Sequence, residues 1–402
     1  MSPLADNDEY ARFAFDHIRH ILESIGGRAS CSPEERLTAK YLAAELSGLG
    51  FSQVNIEPFR GAKSTYWPFA VAFGTALLGT LVGLIFNNRW LLGLGGLLNT
   101  LAVWGMWREL DIRPNWLRWL TPFGDSQNVI GVTRPKKELR RQVVVCAHLD
   151  THRAPIFYST AAWQRAFNLL LLFTFISMFA GAVTYLLGAL FDWAGLRWLG
   201  LAFAPVQAFA LAMCLHAHLA PLSPGANDNT SAVGVTLALA HRLAAEPLAH
   251  TEVQFVFTGC EEVGAYGMAA YLDAHAGQLG PDAVYIVLDQ VGAGRINFPA
   301  ADGLLIKHKT HREALRLARE LVARRPELGA YEGVGIAYTD ALRATRRGLI
   351  ALMFCTVPQK AAGGSAHWHQ MSDTVEHVIP EDLAKVRTFT WEILQSIDRA
   401  NG

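Results

Sequence analysis

His148 and Asp150 stand two apart at the end of the apolar run Val143 to Ala147, and the two-residue period of a strand turns both toward one side of a sheet. That spacing suits a metal-bound imidazole with an acid to orient it, and it also suits a hydrogen-bonded structural pair. Asp228 lies in Pro224-Gly225-Ala226-Asn227-Asp228-Asn229, a turn that opens a long apolar helix with Asn229 or Thr230 as its cap. In Thr258-Gly259-Cys260-Glu261-Glu262-Val263-Gly264, two adjacent carboxylates follow the apolar strand Val253 to Phe257. Neighbouring glutamates repel unless a cation or a proton lies between them, which points to one ligand and one base; the competing reading is a solvated loop. Asp289 directly follows another apolar strand, and His369 stands in Ala366-His367-Trp368-His369-Gln370-Met371-Ser372-Asp373-Thr374, soon after Ile350 to Cys355. Jointly, His148, Asp228, Glu262, Asp289 and His369 fall at the carboxyl ends of predicted strands or in the turns after them, where open α/β sheets bind ligands. Imidazole and carboxylate donors in this number are the ligand chemistry of a two-zinc hydrolase.

The elements that position these residues alternate along the chain. Helical periodicity covers Ala11–Ile25 and Glu34–Leu49; Ser32 caps the second helix, Pro33 takes its first position and Gly50 ends it in a left-handed conformation. Strands are predicted at Val54–Glu57, Asn128–Val132, Val143–Ala147, Val253–Thr258, Ala283–Leu288, Leu304–Lys307 and Ile350–Cys355. Helices are predicted at Ala232–Ala245, Tyr266–His275, His311–Arg325 and Glu381–Arg399. This rhythm predicts a mixed, largely parallel sheet flanked by helices.

Four uncharged runs interrupt it, Trp67–Phe86, Trp90–Trp107, Ala166–Phe191 and Trp198–Leu215, each close to the ~20 residues a membrane helix needs. They read as two transmembrane hairpins inserted into an α/β unit made of residues 1–65, 121–160 and 220–402. The first hairpin with an interfacial segment occupies 66–120, and the second occupies 161–219. Nine of the 11 tryptophans lie between Trp67 and Trp198, many at span ends, where the ring sits at headgroup level. Trp116 to Leu120 mixes aromatic and basic residues, as a stretch lying along the interface does, although an amphipathic loop packed on the protein has the same pattern.

Arg60, Lys63, Arg108, Arg113, Arg118, Arg153 and Arg165 border the spans on the α/β side, and the hairpin tips carry only Arg89 and Arg197. Basic residues favour the cytoplasmic side, so the expectation is a multi-pass protein of the inner membrane with its α/β unit in the cytoplasm. Five scattered cysteines without a close pair argue against a disulfide framework or a cysteine-rich zinc module, and the charged, amphipathic first sixty residues lack a secretory signal pattern. Lys plus Arg and Asp plus Glu both total 35, so no global basic field exists to attract nucleic acid. The expected partners are a peptide substrate and the lipid bilayer. No feature sets an oligomeric state.

The order and spacing of His-x-Asp, Gly-Ala-x-Asp-Asn, Glu-Glu, an aspartate after a strand, and His-x-x-x-Asp-Thr resemble the M28 family of zinc metallopeptidases. The resemblance covers both soluble halves and neither hairpin. It implies two zinc ions, one held by His148 and Asp289, the other by Glu262 and His369, with Asp228 as the bridge. It also implies that Asp150 orients His148 and that Glu261 is the general base of an aminopeptidase-like hydrolysis. His367 competes for the last ligand position, but the four-residue step from His369 to Asp373 matches the family register. Of the remaining groups, Cys260 reads as a small buried filler, His216 and His218 as interfacial, His152 as a loop histidine or, being close to His148, as a support behind it, and Asp340 as a residue lining the substrate site. Two other classes share the fold: scaffolds or receptor subunits that have lost zinc ligands, and single-zinc glutaminyl cyclases. The complete ligand set favours two metals and hydrolysis.

Overall fold

The computed structural model describes residues 9–275, 277–304, 306–335, 337–358 and 367–400. The chain begins with α1 (Glu9–Ser24), α2 (Pro33–Gly48) and β1 (Gln53–Ala62), then enters two long helices, α3 (Tyr66–Ile85) and α4 (Arg89–Leu110). It continues through β2 (Phe123–Thr133) and β3 (Arg141–His148) to a second long pair, α5 (Ala161–Leu190) and α6 (Gly200–Leu219). The remainder runs α7 (Ala232–Ala245), β4 (Thr251–Thr258), α8 (Tyr266–His275), β5 (Val284–Leu288), β6 (Arg295–Pro299), β7 (Ala301–Asp302) and β8 (His308–Lys309). It ends with α9 (Arg312–Arg324), β9 (Tyr331–Gly333), α10 (Asp340–Thr345), β10 (Ile350–Val357) and α11 (Pro380–Ala400). These elements form two compact units, one from Met1–Lys63, Phe123–His152 and Leu222–Gly402, the other from Ser64–Pro122 and Arg153–Pro221.

In the first unit an eight-stranded sheet has the order β1-β2-β4-β3-β5-β10-β6-β9. Its centre, β4-β3-β5-β10, is parallel, while β1, β2 and β6 join antiparallel. Alternation assigns Val143, Val145 and Ala147 of β3 to one core with α1, α2, α7, α9 and α11, and Val144 and Cys146 to the opposite core with α8 and α10. A strand covered on both faces has to be apolar throughout, which is why β3 and β5 read as unbroken apolar runs. Register then lines up the carboxyl ends: His148 pairs with Thr258, Leu288 with Phe354, and Asp289 N–H donates to Phe354 O at 3.0 Å.

Helix α2 has the predicted ends. Ser32 accepts from Glu35 N–H with Pro33 at the first position, and Gly50, at φ 89°, lets its own N–H reach Ser47 O and Phe51 N–H reach Leu46 O. The strand expected at Leu304–Lys307 is not formed by the described residues there, and Leu305 lies outside them; the short pair β7 and β8 flanks the stretch instead. Strands β6 and β9, of five and three residues, are too short to show a period.

The second unit packs α3 against α4 and α6, and α5 against α4 and α6. Helices α3 and α4 touch through glycine: a β-carbon on Gly79 would lie 2.7 Å from Gly95 O, and one on Gly95 only 2.4 Å from Gly79 O. Asn99 is fully buried and donates to Gly95 O and Thr80 Oγ1, while Gln207 donates to Asn99 Oδ1 at 3.2 Å. The outward faces are apolar, with Leu78, Leu172, Phe173, Phe179 and Leu190 between 53% and 67% exposed. All four apolar segments have the length and composition to cross a bilayer.

Candidate metal centre

The donors converge at the carboxyl edge of the parallel strands. His148 is the last residue of β3, the Glu261–Glu262 pair follows β4, and Asp289 follows β5. Asp228 comes from the turn before α7 and His369 from the chain after β10. Each of these side chains is at least nine-tenths buried. The Asp228 carboxylate divides between the two histidines, Oδ1 at 3.3 Å from His148 Nε2 and Oδ2 at 3.3 Å from His369 Nε2. Asp289 Oδ1 approaches His148 Nε2 at 3.8 Å, and Glu262 Oε2 approaches His369 Nε2 at 3.4 Å. The result is two donor groups, one of His148, Asp228 and Asp289, the other of His152, Glu262 and His369, each with ligand atoms within 4.8 Å of one another. His152 therefore belongs beside the centre, not in a remote loop: its ring stacks on His369 with centroids 3.6 Å apart. Only its nearness to His148 marked it in the sequence.

His148 Nδ1 lies 3.0 Å from the main-chain carbonyl of Asp150. A carbonyl only accepts, so Nδ1 donates a proton to it and Nε2 is the ring nitrogen turned toward the carboxylates. The Asp150 carboxylate is 3.5 Å from that ring nitrogen and does something further. It accepts from Glu261 N–H at 3.0 Å and Glu262 N–H at 3.1 Å, and from the Ser30 hydroxyl at 2.6 Å. One aspartate thus fixes the histidine through its backbone and the glutamate turn through its side chain. Asp373, the end of the His-x-x-x-Asp motif, does the same for the aspartate turn, accepting from Asn227 N–H at 2.7 Å and Asp228 N–H at 3.0 Å.

Two further supports were not visible as site residues in the sequence. Arg28, 1% exposed, donates to Leu149 O, to the Gly26 and Pro224 carbonyls and to the Thr230 hydroxyl, tying the β3 end to the Asp228 turn. Burial lowers its pKa to about 10, against the pull of Asp150, Asp373 and Asp228. Glu35 accepts from Cys260 N–H and from the Ser126 hydroxyl, and burial, with Asp150 close by, raises its pKa to about 8. A lone arginine in a loop and a glutamate in a first helical turn have no spacing that would reveal these contacts. Asp340, expected to line the substrate site, is buried beneath the centre and accepts from the Thr258 hydroxyl at 2.5 Å. His367 bonds Ser372 and stacks on His377 instead of joining the donors; Ala366, from the same motif, lies outside the described residues.

The electrostatics call for cations. Burial raises Glu261 well above the usual carboxylate range, with Glu262 and Asp289 adding to it and His148 opposing, and burial with Asp228 nearby raises Glu262 to about 7. Asp289 is raised by burial as well. Burial alone would lower His148, yet Asp150, Asp228 and Asp289 lift it well above an ordinary histidine. Among the described residues Glu261 Oε1, Glu262 Oε1 and Asp289 Oδ1 are buried without a hydrogen-bond partner, a costly state for acceptors unless something positive meets them. Nitrogen and oxygen donors in two groups bridged by one carboxylate fit two zinc ions.

Residues 205–394 match the family model of peptidase family M28. No curated protein matches the sequence. Among solved structures, a glutaminyl cyclase from Tannerella forsythia superposes with a TM-score of 0.56 at 16% identity, over 95% of this chain and 97% of the other. An aminopeptidase from Aneurinibacillus sp. strain AM-1 gives 0.56 at 16% identity over 96% and 93%. A zinc aminopeptidase from Bacillus subtilis gives 0.53 at 14% identity over 95% and 94%. At these identities the likeness shows the shared fold.

Proposed function

We propose that this zinc metallopeptidase, which carries the M28 pattern over residues 205–394, is a membrane-embedded di-zinc exopeptidase that removes N-terminal residues from peptides. The observation that carries the two-metal reading is the division of Asp228 between His148 and His369 at equal distances, the arrangement of a bridging carboxylate. His148 and Asp289 would hold one zinc, and Glu262 and His369 the other, with His152 against the second group. Bound there, zinc supplies Lewis-acid polarisation of the scissile carbonyl and lowers the pKa of the attacking water.

The protein's own groups do the rest. Among the described residues Glu261 Oε1 has no partner and Oε2 is 4.0 Å from His148 Nε2, so Glu261 borders the donors without belonging to either group. It is the base that takes a proton from the attacking water and passes it to the leaving amine. Asp150 keeps Glu261 and Glu262 aimed by accepting both their amide protons. Asp373 keeps the Asp228 turn in place.

The many large apolar side chains exposed along α3 to α6 support insertion in a bilayer, because water disfavours them. The basic residues flanking the spans support a cytoplasmic catalytic unit. The test is turnover of a peptide panel by detergent-purified protein. N-terminally free peptides should lose their first residue while acetylated ones remain intact. Cleavage of blocked peptides at internal bonds would overturn the exopeptidase reading, and cyclisation of N-terminal glutamine without hydrolysis would assign the chain to cyclase chemistry.

A further inference from the structure

Directly behind the glutamate turn, the sulfurs of Cys31 and Cys260 meet at 3.4 Å although 229 residues separate them in sequence. Two buried carboxylates set their backbones side by side. Glu35 accepts from Cys260 N–H through Oε1 and from Cys31 N–H through Oε2, both at 2.9 Å. Asp150 accepts from the hydroxyl of Ser30, the neighbour of Cys31, and from the amides of Glu261 and Glu262, the neighbours of Cys260. Glycine makes the room. A β-carbon at Gly61 would lie 2.5 Å from Cys260 Sγ, and one at Gly124 would lie 2.9 Å from Cys31 Cβ. The surrounding shell is Ala62, Val263, Phe59, Phe123 and Tyr266, and neither metal-type donor group among the described residues includes a cysteine. Cys260 is buried while Cys31 is partly exposed, so a small oxidant reaches Cys31 first.

We propose that Cys31 and Cys260 are a modification site, a thiol pair that a peroxide converts to a reversible disulfide, and that closing it slows the enzyme by displacing the Glu261–Glu262 turn. Cys31 Sγ attacks one oxygen of hydrogen peroxide; the O–O bond breaks, a sulfenic acid forms and one water leaves. Cys260 Sγ then attacks the sulfenic sulfur; the S–S bond forms, the S–O bond breaks, and the hydroxyl departs with the Cys260 proton as a second water. Two thiols are oxidised by two electrons in all and one peroxide is reduced. A disulfide needs its sulfurs at about 2.05 Å. The present separation is 3.4 Å, so the sulfurs draw together by more than an ångström. Cys260 is joined directly to Glu261, and the Asp150 bonds that aim the glutamates take up part of that movement. A displacement of this size at a catalytic base costs roughly ten- to a hundredfold in rate. Transient disulfides of this kind are the sort found in reducing compartments.

The loss of turnover rests on the peptidase reading; the disulfide itself does not. Full-length protein in detergent is exposed to hydrogen peroxide, alkylated and mapped under non-reducing conditions, with turnover of an N-terminally free peptide followed in parallel. A Cys31–Cys260 cross-linked peptide should appear as turnover falls roughly ten- to a hundredfold, and dithiothreitol should restore both. Cys31→Ser should match the untreated wild type and be insensitive to the same treatment. Recovery of both cysteines as alkylated thiols, or full turnover by the cross-linked protein, would overturn the proposal. Absence of turnover in the reduced protein would count against the peptidase reading alone, since the mapping needs no substrate.

Discussion

Replacing Glu261 by glutamine keeps the shape of the side chain and removes its ability to take a proton. The Asp150 carboxylate contacts the main-chain amides of Glu261 and Glu262, so the turn has no reason to move in the variant. The Glu261 carboxylate comes no closer to His148 Nε2 than 4.0 Å and joins neither donor group, so the variant should keep its zinc. General-base catalysis contributes about 10²–10⁴-fold. The kcat/KM of Glu261→Gln should therefore fall by roughly two to four orders of magnitude, a loss of about 3–5 kcal/mol of transition-state stabilisation. The assay is release of the first residue from an N-terminally free peptide by detergent-purified wild type and variant, with the metal content of the same samples measured. Unimpaired turnover with loss of zinc would refute the reasoning by exchanging the roles of Glu261 and Glu262.

Asp150→Asn keeps one acceptor oxygen and sets an amide nitrogen against a backbone N–H, so kcat should drop roughly 10–100-fold while the protein stays folded; kinetics beside a thermal melt check it, and unchanged kcat would contradict the positioning role. For topology, single cysteines at Asn88 and Ala194 in a cysteine-free background should react with an impermeant thiol reagent in intact cells, while one at Glu138 stays protected until lysis. The reverse labelling pattern would place the catalytic unit outside the cytoplasm.

The parts of the fold legible in the sequence were those whose chemistry repeats. The apolar runs of β3, β4, β5 and β10 and the cap signals at Ser32 and Gly50 are local, and the structure places these elements within a few residues of their predicted ends. The four apolar helices were visible because length and absence of charge suffice to mark them. Strands β6 and β9 were not visible, since so few residues carry no period and their pairing is decided by the sheet edge they meet. At the centre, His148 and Asp289 stand at strand ends and the glutamate pair just after one, where the strand-end rule looks, whereas Asp228 comes from the turn before α7. The supports that aim them were hidden because they act across the chain: Arg28 bonds the turn near Thr230, and Glu35 bonds the backbone of Cys260. His152 read as a loop histidine for a related reason, because its stacking on His369 depends on where two distant loops end.

The central claim is that one carboxylate, Asp228, joins two metal sites, and metal stoichiometry tests it most directly. Zinc measured by inductively coupled plasma mass spectrometry on active, detergent-purified protein should be about two ions per chain. Asp228 faces both histidines at 3.3 Å, so Asp228→Ala should release both ions together. One zinc or none in the active wild type, or a variant that keeps one ion at full occupancy, would contradict the bridge.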